Sequence, residues 1–183
     1  IEFVPITETI REPVTKFGGQ PVWLAFPQWP LSRKTGQPMR FIGQIALTDD
    51  FFGSIDRRMA YLFLTDGEDY VDGTYEADGG ENAVIVQPGE PLVPTENLAE
   101  GPTLYRMVPR DGHDRLVREP CEFAVRLTVA ADPEFIPEQD RWELGEEVAN
   151  RAYCEALDGN KVGGAPGFLQ SDEFPGAQFT KLI

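Results

Sequence analysis

A six-residue pattern occurs twice in this chain, as Lys16-Phe17-Gly18-Gly19-Gln20-Pro21 and as Lys161-Val162-Gly163-Gly164-Ala165-Pro166. Adjacent glycines allow backbone conformations and close approaches that a side chain forbids, and the proline then fixes the path. Each copy runs on through aromatics and proline into an apolar segment. The first passes Trp23, Phe26-Pro27 and Trp29-Pro30 to reach Met39-Arg40-Phe41-Ile42. The second passes Phe168 and Phe174-Pro175 to reach Thr180-Lys181-Leu182-Ile183. Such ordered repetition predicts an internal duplication, with repeat units of roughly 1–90 and 91–183 in a single domain. The first apolar run extends five residues past Ile42, whereas the second stops at Ile183 and the sequence opens on Ile1. A longer natural chain is expected at both ends.

The duplicated unit is expected to be mainly sheet. Eighteen glycines and sixteen prolines in 183 residues favour turns and short strands over long helices. Phe41–Leu47 reads as a strand, and the continuous apolar run Met59–Thr65 reads as a buried central one. Ala83–Val86 is a further strand. Cys121–Ala131 alternates, with Cys121, Phe123, Val125, Leu127 and Val129 on one side, and predicts a strand with one buried face. Residues 1–15 read as a short or edge strand, and Asp49-Asp50 could cap a short helix. Trp142, Leu144, Val148, Ala152, Tyr153 and Leu157 follow a helical period over 140–157, with Asp158-Gly159-Asn160 as the stop. The loop 16–37 is expected to turn Trp23, Phe26 and Trp29 inward against the sheet. The fold class is therefore α+β, mainly antiparallel, with few helices.

Charge narrows the partners. The net charge is −15, and no Lys or Arg lies between Arg58 and Arg106. Nucleic acid and anionic membranes both require basic residues to displace counterions, so neither is expected as a partner. The stretch 66–81 holds Asp66, Glu68, Asp69, Asp72, Glu76, Asp78 and Glu81, which reads as a solvated acidic loop. Residues 104–118 swing the other way, with Arg106, Arg110, Arg115 and Arg118 around His113 and a hairpin-type Asp111-Gly112. The two cysteines, Cys121 and Cys154, predict free thiols, a packing role and a reducing, cytoplasmic compartment. No apolar run reaches membrane length.

The chain offers little that selects a reaction. The acidic stretch breaks the calcium-loop register at Tyr70, and one histidine with two distant cysteines is poor zinc chemistry. His113 is the only imidazole and sits beside a turn among charges, as a solvent-exposed histidine would. The Gly-Gly loops lack both phosphate-binding patterns, and Lys16 and Lys161 precede the glycines rather than follow them. No catalytic residue, metal or cofactor is expected.

The run Lys16-Phe17-Gly18-Gly19-x-Pro21, Trp23, Trp29-Pro30, Gly36-x-Pro38-Met39-x-Phe41-Ile42-Gly43-Gln44-Ile45 resembles the YwqG-like family, a bacterial domain of unknown function. Lys161-Val162-Gly163-Gly164-x-Pro166-x-Phe168-Leu169-Gln170 resembles it again. The resemblance implies an α+β fold built from a duplicated unit and no established catalytic residues. Members in toxin neighbourhoods look like immunity proteins. On that reading the chain neutralises a cognate toxin, a nuclease or an NAD-degrading enzyme with a basic surface, by occluding its active site. The contact residues expected are Asp69, Tyr70, Asp72, Tyr75, Glu76 and Asp78, since acids steer association and tyrosines suit interfaces. The competing reading is a small-ligand binder or enzyme with a cleft between the repeats, lined by Trp23, Trp29 and Phe168.

Overall fold

Apolar residues at consecutive positions demand cover on both sides of a strand, and Met59, Ala60, Tyr61 and Phe63 are all buried in β4, Arg58–Leu64. It lies between β3, Arg40–Leu47, and β5, Asn82–Pro88, in a six-stranded sheet. The other members are β1 (Glu2–Pro5), β2 (Lys16–Gly18) and β8 (Glu122–Arg126), in the order β1-β8-β2-β3-β4-β5. β2 pairs antiparallel with β3 and β8, and β4 with β3 and β5. β6 (Tyr105–Pro109) and β7 (Leu116–Pro120) form a separate antiparallel ribbon, and the turn expected at Asp111-Gly112 lies outside the described residues. Two helices follow, α1 (Glu138–Arg141) and α2 (Glu147–Leu157). The computed structural model describes residues 1–48, 58–65, 74, 76, 79–89, 100–110, 115–141, 147–168 and 172. The chain divides into two compact units, Phe3–Val125 and Ile1–Glu2 with Arg126–Ile183. It is an α+β protein dominated by antiparallel sheet.

The core of the larger unit has two layers, a sheet and an irregular loop. Met59, Tyr61 and Phe63 alternate along β4 and meet Trp23, Leu24, Met39 and Phe41. Phe63 is the hub: its ring lies 5.4 Å from Trp29, 5.5 Å from Phe41 and 6.2 Å from Trp23. A loop packed on a sheet must still pair its backbone polar groups. Three side chains of the sheet do this. Gln44 accepts from Val22 N and donates to the Val14 carbonyl, both at 2.8 Å. Tyr61 accepts from Leu24 N at 2.9 Å and donates to the Val22 carbonyl at 2.8 Å. Gln87 accepts from Ala25 N and donates to the Phe26 carbonyl, both at 2.9 Å. Each offers one donor and one acceptor, which the passing backbone needs.

Two expectations for this unit are corrected. Phe26 is 83% exposed: its carbonyl, not its ring, is drawn to the sheet. The strand expected over Cys121–Ala131 ends at Arg126, and Val129 is 86% exposed. Its partner β2 pairs over only three residues, Lys16 to Gly18, so the ladder runs out before the alternating pattern does.

Burial pushes the Tyr61 phenol up to about 12, against a lowering contribution from the Leu24 N–H. The native state therefore retains a proton that the unfolded chain, titrating at 10.0, has lost. This stability is complete below pH 10 and falls as pH rises towards 12. Tyr61→Phe is expected to remove that alkaline slope and to cost about 1–3 kcal/mol at neutral pH, because Leu24 N and the Val22 carbonyl lose their partner. Urea melts at neutral and alkaline pH measure both effects.

In the smaller unit, Tyr153 and Leu157 occupy one face of α2 and pack with Ala165, Phe135 and Ile136. The Tyr153 hydroxyl accepts from Ile136 N at 2.8 Å. Arg141 pairs with Asp172 at 2.6 Å, and both side chains are largely buried. Residues 142–146 of the expected helix, and the expected helix after Asp49-Asp50, lie outside the described residues. Both cysteines are free; Cys154 is exposed on α2 and has no packing role, while Cys121 is half-buried.

The two glycine pairs share a local geometry. Gly18, Gly19, Gly163 and Gly164 all have φ between 63° and 77°, in the left-handed region. In each copy the lysine binds a carboxylate at 2.6 Å: Lys16 to Glu122 and Lys161 to Asp132. In each copy a Cβ on the second glycine would fall on that same carboxylate. The settings differ, since the first copy lies in the sheet and the second follows α2 without joining a strand among the described residues. The likeness is thus local, and among the described residues no duplicated sheet is seen.

Candidate functional site

The acidic stretch is the connection between β4 and β5. The two strands pair without interruption from Arg58↔Pro88 to Leu64↔Asn82. At the open end the ladder is continued by Thr65 N donating to the Glu81 carbonyl at 2.8 Å. The Asn82 amide donates to the Thr74 and Glu76 carbonyls at 2.6 and 3.0 Å, and Gly79 N donates to Glu76 at 3.1 Å. The loop thus starts and ends on a rigid hairpin. Of the expected contact residues, Glu76 is exposed, and Asp69, Tyr70, Asp72, Tyr75 and Asp78 lie outside the described residues, as does His113.

Glu81 corrects the picture of a uniformly solvated stretch, for it is 3% exposed. One carboxylate oxygen accepts from the Thr65 hydroxyl at 2.5 Å and from the Ser32 hydroxyl at 2.8 Å. The other accepts from Lys34 N at 2.8 Å, and Arg33 N reaches the neighbouring Gly80 carbonyl at 3.0 Å. The 32–37 turn is thereby pinned to the base of the acidic hairpin. The Thr65 hydroxyl first, and then Ser32, Lys34 N and the Lys34 charge, hold the carboxyl below the usual carboxylate range, against desolvation. A depressed folded value means stability present above 4.5 and lost as pH falls through the folded value. Glu81→Gln is expected to flatten that acid limb and to speed Lys34 amide exchange by about an order of magnitude, since a charge-assisted bond is lost. Acid titration of stability and amide exchange check the two halves.

A second feature is an open cleft of about 700 Å³ in the larger unit, lined by segments 5–9, 19–20, 101–103 and 120–123 with Tyr105, Arg106 and Arg118. Arg106 carries two nitrogens to one Glu119 oxygen at 2.9 Å, and both side chains are well exposed. The guanidinium carbons of Arg118 and Arg40 lie 4.7 and 4.9 Å from the centre of the Tyr105 ring. Burial pushes the Cys121 thiol up, opposed by the Arg106 charge, and a protonated thiol is a poor nucleophile. Glu122, at the wall, is held by Lys16.

The aromatics expected to line a cleft between the repeats each have a setting within their own unit. Trp23 and Trp29 belong to the core of the larger unit, and Phe168 stands edge-on to Phe135 in the other. What sequence reasoning missed is the meeting of Arg40 with Arg118 at the Tyr105 ring, since Arg40 lies far from the basic stretch that the sequence displays. Among the described residues no group of three or more metal-ligating side chains converges, and no helix is long and apolar enough to cross a membrane. Set against known proteins, the chain matches no family model, no curated protein and no solved structure.

Proposed function

We propose that this chain is a non-catalytic binding protein that neutralises a cognate toxin in the cytoplasm by covering its active site with the acidic β4–β5 loop. The observation that carries the reading is the mounting of that loop. A long antiparallel ladder, continued by Thr65 and closed by Glu81 and Asn82, presents a segment rich in Asp and Glu and devoid of Lys and Arg. A rigid base lowers the ordering cost of binding, and the charge accelerates encounter with a basic surface. The resemblance of the two Lys-x-Gly-Gly-x-Pro motifs to YwqG-like immunity proteins supplies the class of partner: a nuclease or an NAD-degrading toxin.

The test uses the protein encoded by the adjacent reading frame as the probe. Replacing Asp69, Asp72, Glu76 and Asp78 together by their amides is expected to slow association about 10–100-fold at low salt and to flatten its salt dependence. Unchanged affinity at low salt would sink the charge-steered mode of binding.

A further inference from the structure

We propose that the outer edge of β5 is a docking site for an extended apolar strand with basic flanks, supplied by a partner protein and added to the sheet. This goes beyond the proposed function, since it concerns the strand after the acidic loop and recognition through the main chain. The first support is the edge itself. β5 ends the six-stranded order, and among the described residues no strand lies beyond it. Antiparallel pairs alternate between rungs that exchange hydrogen bonds and rungs whose N–H and C=O groups point away. Thr65 N donates to the Glu81 carbonyl, so every second rung from there, through Ala83, Ile85 and Gln87, bonds to β4. The N–H and C=O groups of Asn82, Val84 and Val86 therefore face outward, spaced as a further strand requires.

The second support is apolar surface gathered at that edge. Val84 is 66% exposed and Val86 49%. Val84 extends the rung of Phe17, Gly43 and Leu62 to the edge. On the opposite face Phe26, whose ring is open to solvent, is tied to the strand through its carbonyl and Gln87. Edge strands are commonly guarded against pairing by lysine, proline or an inward-pointing charge. Asn82–Pro88 carries no charged residue, and its proline stands at the very end.

Charge selects the occupant. The acidic stretch 66–81 precedes β5, Glu90, Glu96 and Glu100 follow it, and no Lys or Arg lies between Arg58 and Arg106. In β4 and β5 the only base is Arg58, opposite Pro88 at the far end. Two copies of a chain at −15 repel, which disfavours pairing of β5 with itself, while a strand flanked by Lys or Arg is attracted.

The test uses the full chain and labelled peptides of alternating valine and threonine, with two lysines or two glutamates at each end, read by fluorescence anisotropy. The lysine-flanked peptide is expected to saturate at millimolar concentration or below, at least about tenfold tighter than the glutamate-flanked one at low salt. Methylating its amide nitrogens at alternate residues should abolish binding in one phase and spare it in the other, because only every second residue bonds to the edge. Val84→Pro removes an outward N–H while sparing the bonds to β4, and should weaken binding at least about tenfold. The methylated peptides carry the test if that variant does not fold. No saturation, equal binding of the two flanks, equal loss in both methylation phases, or unchanged binding by folded Val84→Pro overturns the proposal. So does a dimer in sedimentation that Val84→Pro dissolves, since the edge would then belong to a second copy. No toxin enters these measurements, so failure of the proposed function leaves them intact.

Discussion

Glu122→Gln is expected to destabilise the larger unit by about 3 kcal/mol, because it takes from the buried Lys16 ammonium its hydrogen-bonded counter-charge and leaves only the weaker pull of Glu12. Lys16 is completely buried and has two acceptors, Glu122 at 2.6 Å and the Ile10 carbonyl at 3.0 Å. Burial already pulls its ammonium below the ordinary 10.5, and the Glu122 hydrogen bond and charge are the chief forces raising it. Without them the folded value drops further. The unfolded chain then binds the extra proton between the folded value and 10.5, so the variant gains stability as pH rises through that window. Urea melts across neutral to alkaline pH should show a steeper slope than in the parent. Adding Lys16→Met should recover much of the loss, since an apolar residue needs no counter-charge. A variant within about 1 kcal/mol of the parent, with no change in slope, would mean that the pair is solvated in practice.

That pair also marks where sequence reading stops. Phe41–Leu47, Met59–Thr65 and Ala83–Val86 were legible because apolar runs and alternation are local signals, and β3, β4 and β5 follow them. The end of α2 was foreshadowed by Asp158-Gly159. Lys16, Gln44, Glu81 and Gln87 gave no such signal. Each is polar and buried because its partner comes from another part of the chain, as with Glu122 for Lys16 and Phe26 for Gln87. Composition ranks such residues as surface, and only the fold reveals otherwise. The length of β8 failed for a related reason: a strand lasts only as long as its neighbour does. At the candidate site the charge pattern was readable in both acidic and basic stretches. The meeting of Arg118 and Arg40 at Tyr105 depends on tertiary contacts that join β3 to the ribbon, and no spacing in the sequence announces it.

Gly18→Ala is expected to cost about 2–5 kcal/mol, whereas Gly163→Ala should cost only about 1–2 kcal/mol. Both glycines occupy the left-handed region, at φ 74° and 77°, so an alanine pays the same backbone penalty at either. The surroundings differ. A Cβ at Gly18 would land on the Cys121 carbonyl oxygen, a backbone atom at the junction with β8, and no side-chain rotation relieves that clash. A Cβ at Gly163 meets nothing within 4 Å. Gly18 lies at the end of β2, whose register with β8 sets Lys16 beside Ala124 and Phe17 beside Phe123, so relief must come from moving one strand against the other. Such a shift would also disturb the hold of Lys16 on Glu122. Amide exchange gives a local measure: Gly18→Ala should loosen β2, β3 and β8, while Gly163→Ala should leave them unchanged and raise exchange only near α2. Equal losses at the two sites would show that left-handed strain alone, and not the approach of β8, requires glycine in this repeated motif.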